Sequence, residues 1–455
     1  MSPPDIDVLI IGGGPAGACS ALYLAKRGLK VRILEKDRFP RFHVGESLLP
    51  SLNPLFDELG LTEPLSKVTR VPKNGAEVAM AWQDSGAQLN FAEGQPWGHA
   101  SSFNVERAVF DKVLLDHAAA QPNVEIRQDT AVTGIEHLRD NDCRLMTTDG
   151  PMDARLVLDC SGQATVLGRL LGSKQVIPGH RKIAFMGHFK GAQRLTGESS
   201  GFISVVMADD AWFWFIPIDE ERTSIGMVMD KDSINQMRRQ GVKPGQELAW
   251  ALPRTPCLAK RLQNATYPES NGCVSDFSYH CSPGADAGYL MVGDAEAFLD
   301  PVFSSGLYLA VAGARDATQA AAKILNGDDA PAARKAYLEQ VAERRKFFFH
   351  YIKLFYSHAF REFLIEGKGP LGIHRALIAV LSGRCERLPL SMRWRLGLLN
   401  FMHRIQKRTP TILRPKEGWS IIENRKTPRD RAMGNAAATR VSAPQVPPGT
   451  INSSP

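Results

Sequence analysis

The sequence predicts an α/β fold: a Rossmann-like nucleotide-binding module, an inserted antiparallel sheet and a helical C-terminal part. Three observations carry this prediction. An apolar run, Val8-Leu9-Ile10-Ile11, breaks into Gly12-x-Gly14-x-x-Gly17 and continues with helical spacing. Two later apolar runs end in the same manner, at Asp159 and at Gly293-Asp294. Between them, residues 181–230 alternate like hairpin arms, whereas residues 331–403 hold helical spacing almost throughout. At 455 residues, 44% apolar and 23% charged, the chain can bury a large core, which excludes disordered, collagen-like and coiled-coil classes.

From Ala18 to Arg27 the inward positions are Ala21, Leu22, Leu24 and Ala25, and Gly28 stands where a helix C-cap belongs. Val31 to Leu34 forms a second strand ending at Glu35. Alternating strand-like and helix-like stretches then run to about residue 180, with Ala154 to Asp159 and Gly288 to Asp294 as further strands. Ala211 to Ile218 and Arg222 to Met229 read as hairpin arms around Asp219-Glu220-Glu221. Pro331 suits a first helical turn. The expected organisation is a nucleotide-binding module over residues 1–330 with sheet insertions at about 74–103 and 181–275. A helical region over 331–424 covers the substrate side, and residues 425–455, rich in Pro, Ser, Asn, Gly and Ala, are expected to be a disordered tail.

The formal charge of +7 is local. Residues 361–432 hold sixteen Lys and Arg against six Asp and Glu, net +10; residues 433–455 add +1, which leaves −4 for residues 1–360. No segment resembles a nucleic-acid module. The seven cysteines are scattered without a Cys-x-x-Cys pair, which predicts reduced thiols and no zinc site. The N-terminal residues lack signal-peptide features, and no window approaches 18 uninterrupted apolar residues, so the expectation is a cytoplasmic protein without a membrane partner.

Gly12 permits a tight turn, Gly14 lets the backbone approach a pyrophosphate, with Ala16 following inside the turn, and Gly17 lets the helix pack closely on the strand. The helix N-terminus then faces the phosphates. Glu35 is placed to hydrogen-bond a ribose 2′-OH and disfavours a 2′-phosphate, which leaves FAD or NAD. Asp294 precedes a helix-like stretch, Gly306 to Ala322, and so lies near a second part of a long cofactor.

With the glycine fingerprint, Asp159-Cys160-Ser161-Gly162 and Gly293-Asp294, the chain resembles the flavoprotein hydroxylase superfamily, which implies FAD. Arg107 sits where that superfamily places a cofactor-binding arginine. Three further segments are similar to signatures of the flavin-dependent halogenases. They are Arg41-Phe42-His43-Val44-Gly45-Glu46-Ser47 with Pro50, Trp212-Phe213-Trp214-Phe215-Ile216-Pro217, and Phe298-Leu299-Asp300-Pro301-Val302-Phe303-Ser304-Ser305-Gly306. They occur in the family's order, and the resemblance spans about residues 5–320.

The resemblance implies a reduced flavin, FADH2, whose hydroperoxide oxidises chloride or bromide to hypohalous acid. It places Glu46 and Ser47 beside the flavin, Pro301 and Gly306 at the cofactor, and the halide at Ser305 and Gly306 near a helix N-terminus. Trp212 and Trp214, two apart on a strand, share a face and are expected to partition substrate from flavin. Lys73, in Val71-Pro72-Lys73-Asn74-Gly75-Ala76, matches the family's essential lysine, with Lys67 the nearby competitor. It either hydrogen-bonds hypohalous acid as the ammonium or reacts with it as the amine. His43 receives no catalytic role.

Free-tryptophan halogenases are longer, so the expected substrate is an electron-rich aromatic, a phenol or a pyrrole, free or tethered to an acyl or peptidyl carrier protein. The basic stretch can steer an acidic carrier. FADH2 is expected from a separate flavin reductase, because the sequence has no second nucleotide fingerprint. Two alternatives stand beside this reading: a single-component aromatic hydroxylase that reduces its own flavin, and a non-catalytic flavoprotein that binds a carrier protein.

Overall fold

The computed structural model describes residues 4–428 apart from 70, 269–271, 276, 367–368 and 415. Val8–Ile11 lies at the centre of a six-stranded sheet. It pairs in parallel with Val31–Leu34 on one side and with Leu156–Asp159 on the other, Val8 opposite both Val31 and Leu156. Val124–Arg127 and Tyr289–Met291 extend the parallel run at its two ends, and Ala285–Asp286 closes one edge antiparallel. Strands this apolar need cover on both faces. Val8, Ile10, Ile33 and Leu158 pack in one core with residues of the helices Pro15–Ala25, Arg107–Ala119 and Gly306–Leu325. Leu9, Ile11, Leu34 and Val157 face a small antiparallel sheet through Leu145, Met152 and Ala154.

The second large sheet has seven strands, in the order Gly272–Ser275, Lys182–Lys190, Arg222–Asp230, Ala211–Pro217, Ile203–Met207, Gly75–Met80, Ala87–Asn90. The expected hairpin is its centre, with Trp212 opposite Val228 and Trp214 opposite Gly226. Side chains alternate between faces. Phe213, Phe215 and Met227 point to a core shared with Ile234, Met237, Leu248 and Leu258 of the short helices Lys231–Arg239, Glu247–Ala251 and Pro256–Arg261. Trp212, Trp214, Val205 and Val78 point the other way, into the core shared with the nucleotide-binding module. A β-carbon on Gly226 would meet the Trp214 ring at 2.1 Å, so the indole occupies the space this glycine leaves.

Four helices follow: Ala330–Phe355, His358–Glu366, Ile373–Leu381 and Leu390–Arg408. Phe348, Tyr351, Ile352 and Phe355 recur at helical spacing and are buried, Phe348 edge-on to Tyr308 of the helix Gly306–Leu325 and Phe355 edge-on to Trp212 of the large sheet. The chain then forms a hairpin, Gly418–Ser420 with Arg425–Thr427. Pairing through Arg425–Thr427 corrects the expectation of disorder at those three residues, because the hairpin is fastened by Asp209 and Asp210, which accept from Thr427, Ser420 and the Ile421 and Ile422 N–H groups. Residues 429–455 of the expected tail lie outside the described residues. No helix among the described residues is long and apolar enough to cross a membrane.

Candidate active site

The glycine turn is built as its spacing requires. Gly12 has φ +99°, and a β-carbon there would lie 2.6 Å from the Cys160 carbonyl oxygen; one on Gly17 would lie 1.9 Å from the Gly12 oxygen. Gly14 caps the helix Pro15–Ala25 without a side-chain hydrogen bond, and Pro15 and Ala16 open its buried first turn. Pro15 has no N–H, and the Ala16 and Gly17 N–H groups take no partner among the described residues, which suits them to phosphate oxygens. Glu35 is buried, accepting from the Gly13 N–H at 2.8 Å and from the Asp37 N–H at 2.9 Å. An ionised carboxylate accepts only, so it suits hydroxyl donors on a ribose.

Arg107 begins the helix Arg107–Ala119 and is 5% exposed. It makes a bidentate pair with buried Asp111, Nε to Oδ1 at 2.7 Å and Nη2 to Oδ2 at 2.9 Å, and donates from Nη1 to the Val44 carbonyl at 2.8 Å. A buried arginine paired in this way is rigid, and it fixes the Val44 to Ser47 loop. Glu46 in that loop is also buried, taking the Gly45 N–H at 3.0 Å and bonding His188 Nε2 at 2.8 Å. Ser304 Oγ donates to Ser47 Oγ at 3.2 Å, which ties the loop to the turn before the helix Gly306–Leu325. The Asp294 carboxylate has no hydrogen-bond partner among the described residues, and burial pushes its pKa up to about 7 against the opposing pull of Arg107. A half-buried carboxyl group without a protein partner, within electrostatic reach of Arg107, is open to the hydroxyl groups of a long dinucleotide.

Lys73 ends the short strand Val71–Lys73, opposite Ser102. Its side chain is 1% exposed, donates to the Leu48 carbonyl at 2.9 Å and lies 5.3 Å from the centroid of the Phe91 ring. Burial alone lowers its pKa to about 7, because no carboxylate among the described residues stands by to hold the proton. The Lys73 amine opens on a cavity lined by Ala76, Val78, Ile203 and Val205 from the sheet and by Phe303, Ser304 and Phe355. Lys67, by contrast, is exposed on the surface and pairs with Glu63.

Pro301 opens the turn Pro301–Phe303, and Ser304 follows at φ +54°. Ser305, 2% exposed, and Gly306 then begin the 20-residue helix Gly306–Leu325. Ser304 thus reaches the lysine cavity, while Ser305 and Gly306 sit at the helix N-terminus. The two indoles lie on one face as expected, their centroids 6.0 Å apart. They do not line the lysine cavity; Phe355 does, edge-on to Trp212 at 6.0 Å and to Phe303 at 6.1 Å. Trp214 Nε1 donates to Ser224 Oγ, and Trp212 Nε1 donates at 2.9 Å to the Tyr356 hydroxyl, which donates at 2.7 Å to Asp300 Oδ2. The other oxygen, Asp300 Oδ1, accepts the Val302 N–H at 3.0 Å, so one chain of hydrogen bonds joins the indole face to the Pro301–Phe303 turn.

The sequence reading did not assign His188, Phe91, Phe355 or Tyr356 to the site. Phe355 was detectable only as a core position, seven residues after Phe348 on one helical face; nothing local marks His188 as the partner of Glu46.

Residues 5–348 match the family model described as FAD binding domain. The chain is 31% identical over 350 residues to the flavin-dependent halogenase armH3 of Armillaria mellea, covering 72% of this chain and 69% of that protein. It is 30% identical over 386 residues to a 1H-pyrrole-2-carbonyl peptidyl-carrier-protein chlorinase of Pseudomonas fluorescens, covering 78% of this chain and 84% of that protein. The solved structure of the flavin-dependent brominase Bmp2 superposes with a TM-score of 0.75 at 27% identity, covering 88% of this chain and 99% of that one. With the glycine cradle, the Val44 to Ser47 loop and the buried lysine on one framework, the chain belongs to the FAD-binding flavoproteins and, among them, to the flavin-dependent halogenases, which are oxidoreductases.

Proposed function

We propose that this halogenase passes an electrophilic halogen through Lys73 to an electron-rich aromatic, a pyrrole or a phenol, presented as a thioester on a carrier protein. The observation that carries the reading is the Lys73 amine, buried, held by one backbone carbonyl and opening on an apolar cavity. Bound FADH2 would give two electrons to O2, and the two-electron oxidising capacity that remains would convert chloride or bromide to hypohalous acid, leaving FAD and water. Arg107 and Glu46 hold the loop on that side, and the Gly306–Leu325 helix offers backbone N–H groups at Ser305 and Gly306 to the halide. Lys73 as the neutral amine attacks the halogen of hypohalous acid, giving an N–X bond and water. The aromatic ring then takes the halogen and loses a proton, and the amine is restored. Apolar walls at Val78, Val205 and Phe355 exclude the water that would consume the oxidant.

The carrier-bound substrate is supported by the similarity to a chlorinase acting on a carrier-bound pyrrole and by the basic charge of residues 361–432. A separate reductase supplies FADH2 in this reading. The test is Lys73→Ala incubated with FADH2, O2 and bromide. It is expected to bind FAD and consume O2 like the parent while brominated product falls by at least a hundredfold; undiminished bromination would remove Lys73 from the reaction.

A further inference from the structure

The helix Leu390–Arg408 has two unlike faces. Met392, Leu396, Leu399, His403 and Gln406 are buried. On the opposite side Leu390 is 77% exposed, Trp394 43% and Phe401 56%, and their spacing of four and seven residues puts them in one stripe. Basic side chains flank it. Arg393, Arg404, Lys407 and Arg408 are exposed and form no ion pair among the described residues. An apolar stripe with unpaired positive charge beside it is the surface of a site for an acidic partner.

Beneath this helix lies a second cleft, lined by Leu399 and Met402 from the helix itself, by Pro370, Ile373 and His374, and by Leu364. Leu364 also lines the Lys73 cavity, so a single side chain stands between the two spaces. His374 Nδ1 is buried in this otherwise apolar cleft and has no hydrogen-bond partner among the described residues. A long, thin chain carrying amide groups would supply one. Arg395 donates from Nε to the Leu371 carbonyl at 2.8 Å, which fixes the helix to the Pro370–Gly372 turn at the rim of the cleft.

We propose that the exposed face of Leu390–Arg408 docks an acidic carrier domain, and that the carrier's phosphopantetheine arm passes His374 and Leu364 to place its acyl group at Lys73. This rests on the carrier-bound substrate class proposed above and adds where the carrier sits and how its arm reaches the lysine. A second copy of this chain is disfavoured, since a symmetric contact would set like charges together. A lipid surface would not account for the unpartnered His374 Nδ1 in the cleft beneath the helix.

The experiment compares the full chain with Arg393→Glu/Arg404→Glu and with Trp394→Ala, supplied with FADH2, O2 and bromide. Two probes are used: pyrrole-2-carbonyl on an acidic carrier domain, and the same acyl group on free pantetheine. The expected result is a loss of tenfold or more in kcat/KM for the carrier-bound probe, carried by KM and diminished at high salt, with the pantetheine thioester processed at the parental rate. Equal kcat/KM for the carrier-bound probe in parent and variants overturns the docking site. So does salt-sensitive binding of the parent to phosphatidylserine vesicles, or self-association, lost in the variants while carrier turnover is kept. If the parent brominates neither probe but brominates a free phenol or pyrrole, the carrier-bound class itself fails, and the docking site with it.

Discussion

Lys73 is a buried amine that no anion among the described residues answers. Its pKa in the folded protein, about 7, lies below the ordinary 10.5, so between those two values the unfolded chain binds a proton that the folded chain does not. Stability attributable to this residue therefore rises with pH across that window, and below pH 7 the buried ammonium opposes folding in full. Lys73→Met is expected to be more stable than the parent at pH 6, with the difference shrinking at pH 9; denaturant melts at the two values measure it, and a pH-independent difference would show that the amine is not desolvated. The same pKa governs chemistry. If the amine is the nucleophile, single-turnover halogen transfer rises through pH 7, whereas a falling limb assigns the work to the ammonium as a hydrogen-bond donor.

Two packing devices hold the elements of the site in register. Gly226 leaves the space that the Trp214 ring fills on the neighbouring strand. Gly226→Ala forces the indole or the strand to move, and a cost of about 1–3 kcal/mol is expected, read from urea melts together with a shift in tryptophan emission. The second device is the bond chain from Trp212 through Tyr356 to Asp300, which couples the sheet to the turn that precedes Ser305 and Gly306, the halide segment proposed above. Tyr356→Phe leaves both the indole N–H and a buried carboxylate oxygen short of a partner, costing about 1–3 kcal/mol. Because the turn carries Ser304, this variant is expected to raise the halide concentration needed for half-maximal rate while FAD affinity stays unchanged. A stability loss with unaltered halide dependence would confine Tyr356 to a structural role.

At the scale of the molecule, the nucleotide-binding sheet and the large sheet, antiparallel except where Ile203–Met207 runs parallel to Gly75–Met80, share one core, so cofactor binding and the lysine cavity belong to one cooperative unit. FAD that binds only the folded chain stabilises it by about 2.7 kcal/mol at a hundredfold excess over Kd. Thermal melts at stepped FAD should show that rise, and Glu35→Ala should shift it to higher FAD concentrations. Only one glycine fingerprint is present, so NAD(P)H mixed anaerobically with the FAD-loaded chain is expected to leave the flavin oxidised until a reductase is added. Rapid bleaching by NAD(P)H alone would favour a hydroxylase that reduces its own flavin.

Local spacing was enough to specify the glycine turn, the strands leading to Glu35, Asp159 and Asp294, though the last ends at Met291 and a 3-10 turn over Gly293–Ala295 carries Asp294, and the hairpin around residues 219–221, because a turn that needs Gly12 or a strand with one buried face leaves its mark within a few residues. The same locality put Trp212 and Trp214 on one face and set Lys73 just before a strand. What surrounds those residues was decided only by tertiary structure. Burial of Lys73 depends on Leu48, Phe91, Phe303 and Phe355, drawn from segments that no spacing rule connects, and its lowered pKa follows from that burial alone. The partnership of Glu46 with His188 and the layer of Phe355 before the indoles have the same origin. Desolvation is a sum over neighbours brought together by the fold, and a linear pattern records which side of an element is buried without recording what it is buried against.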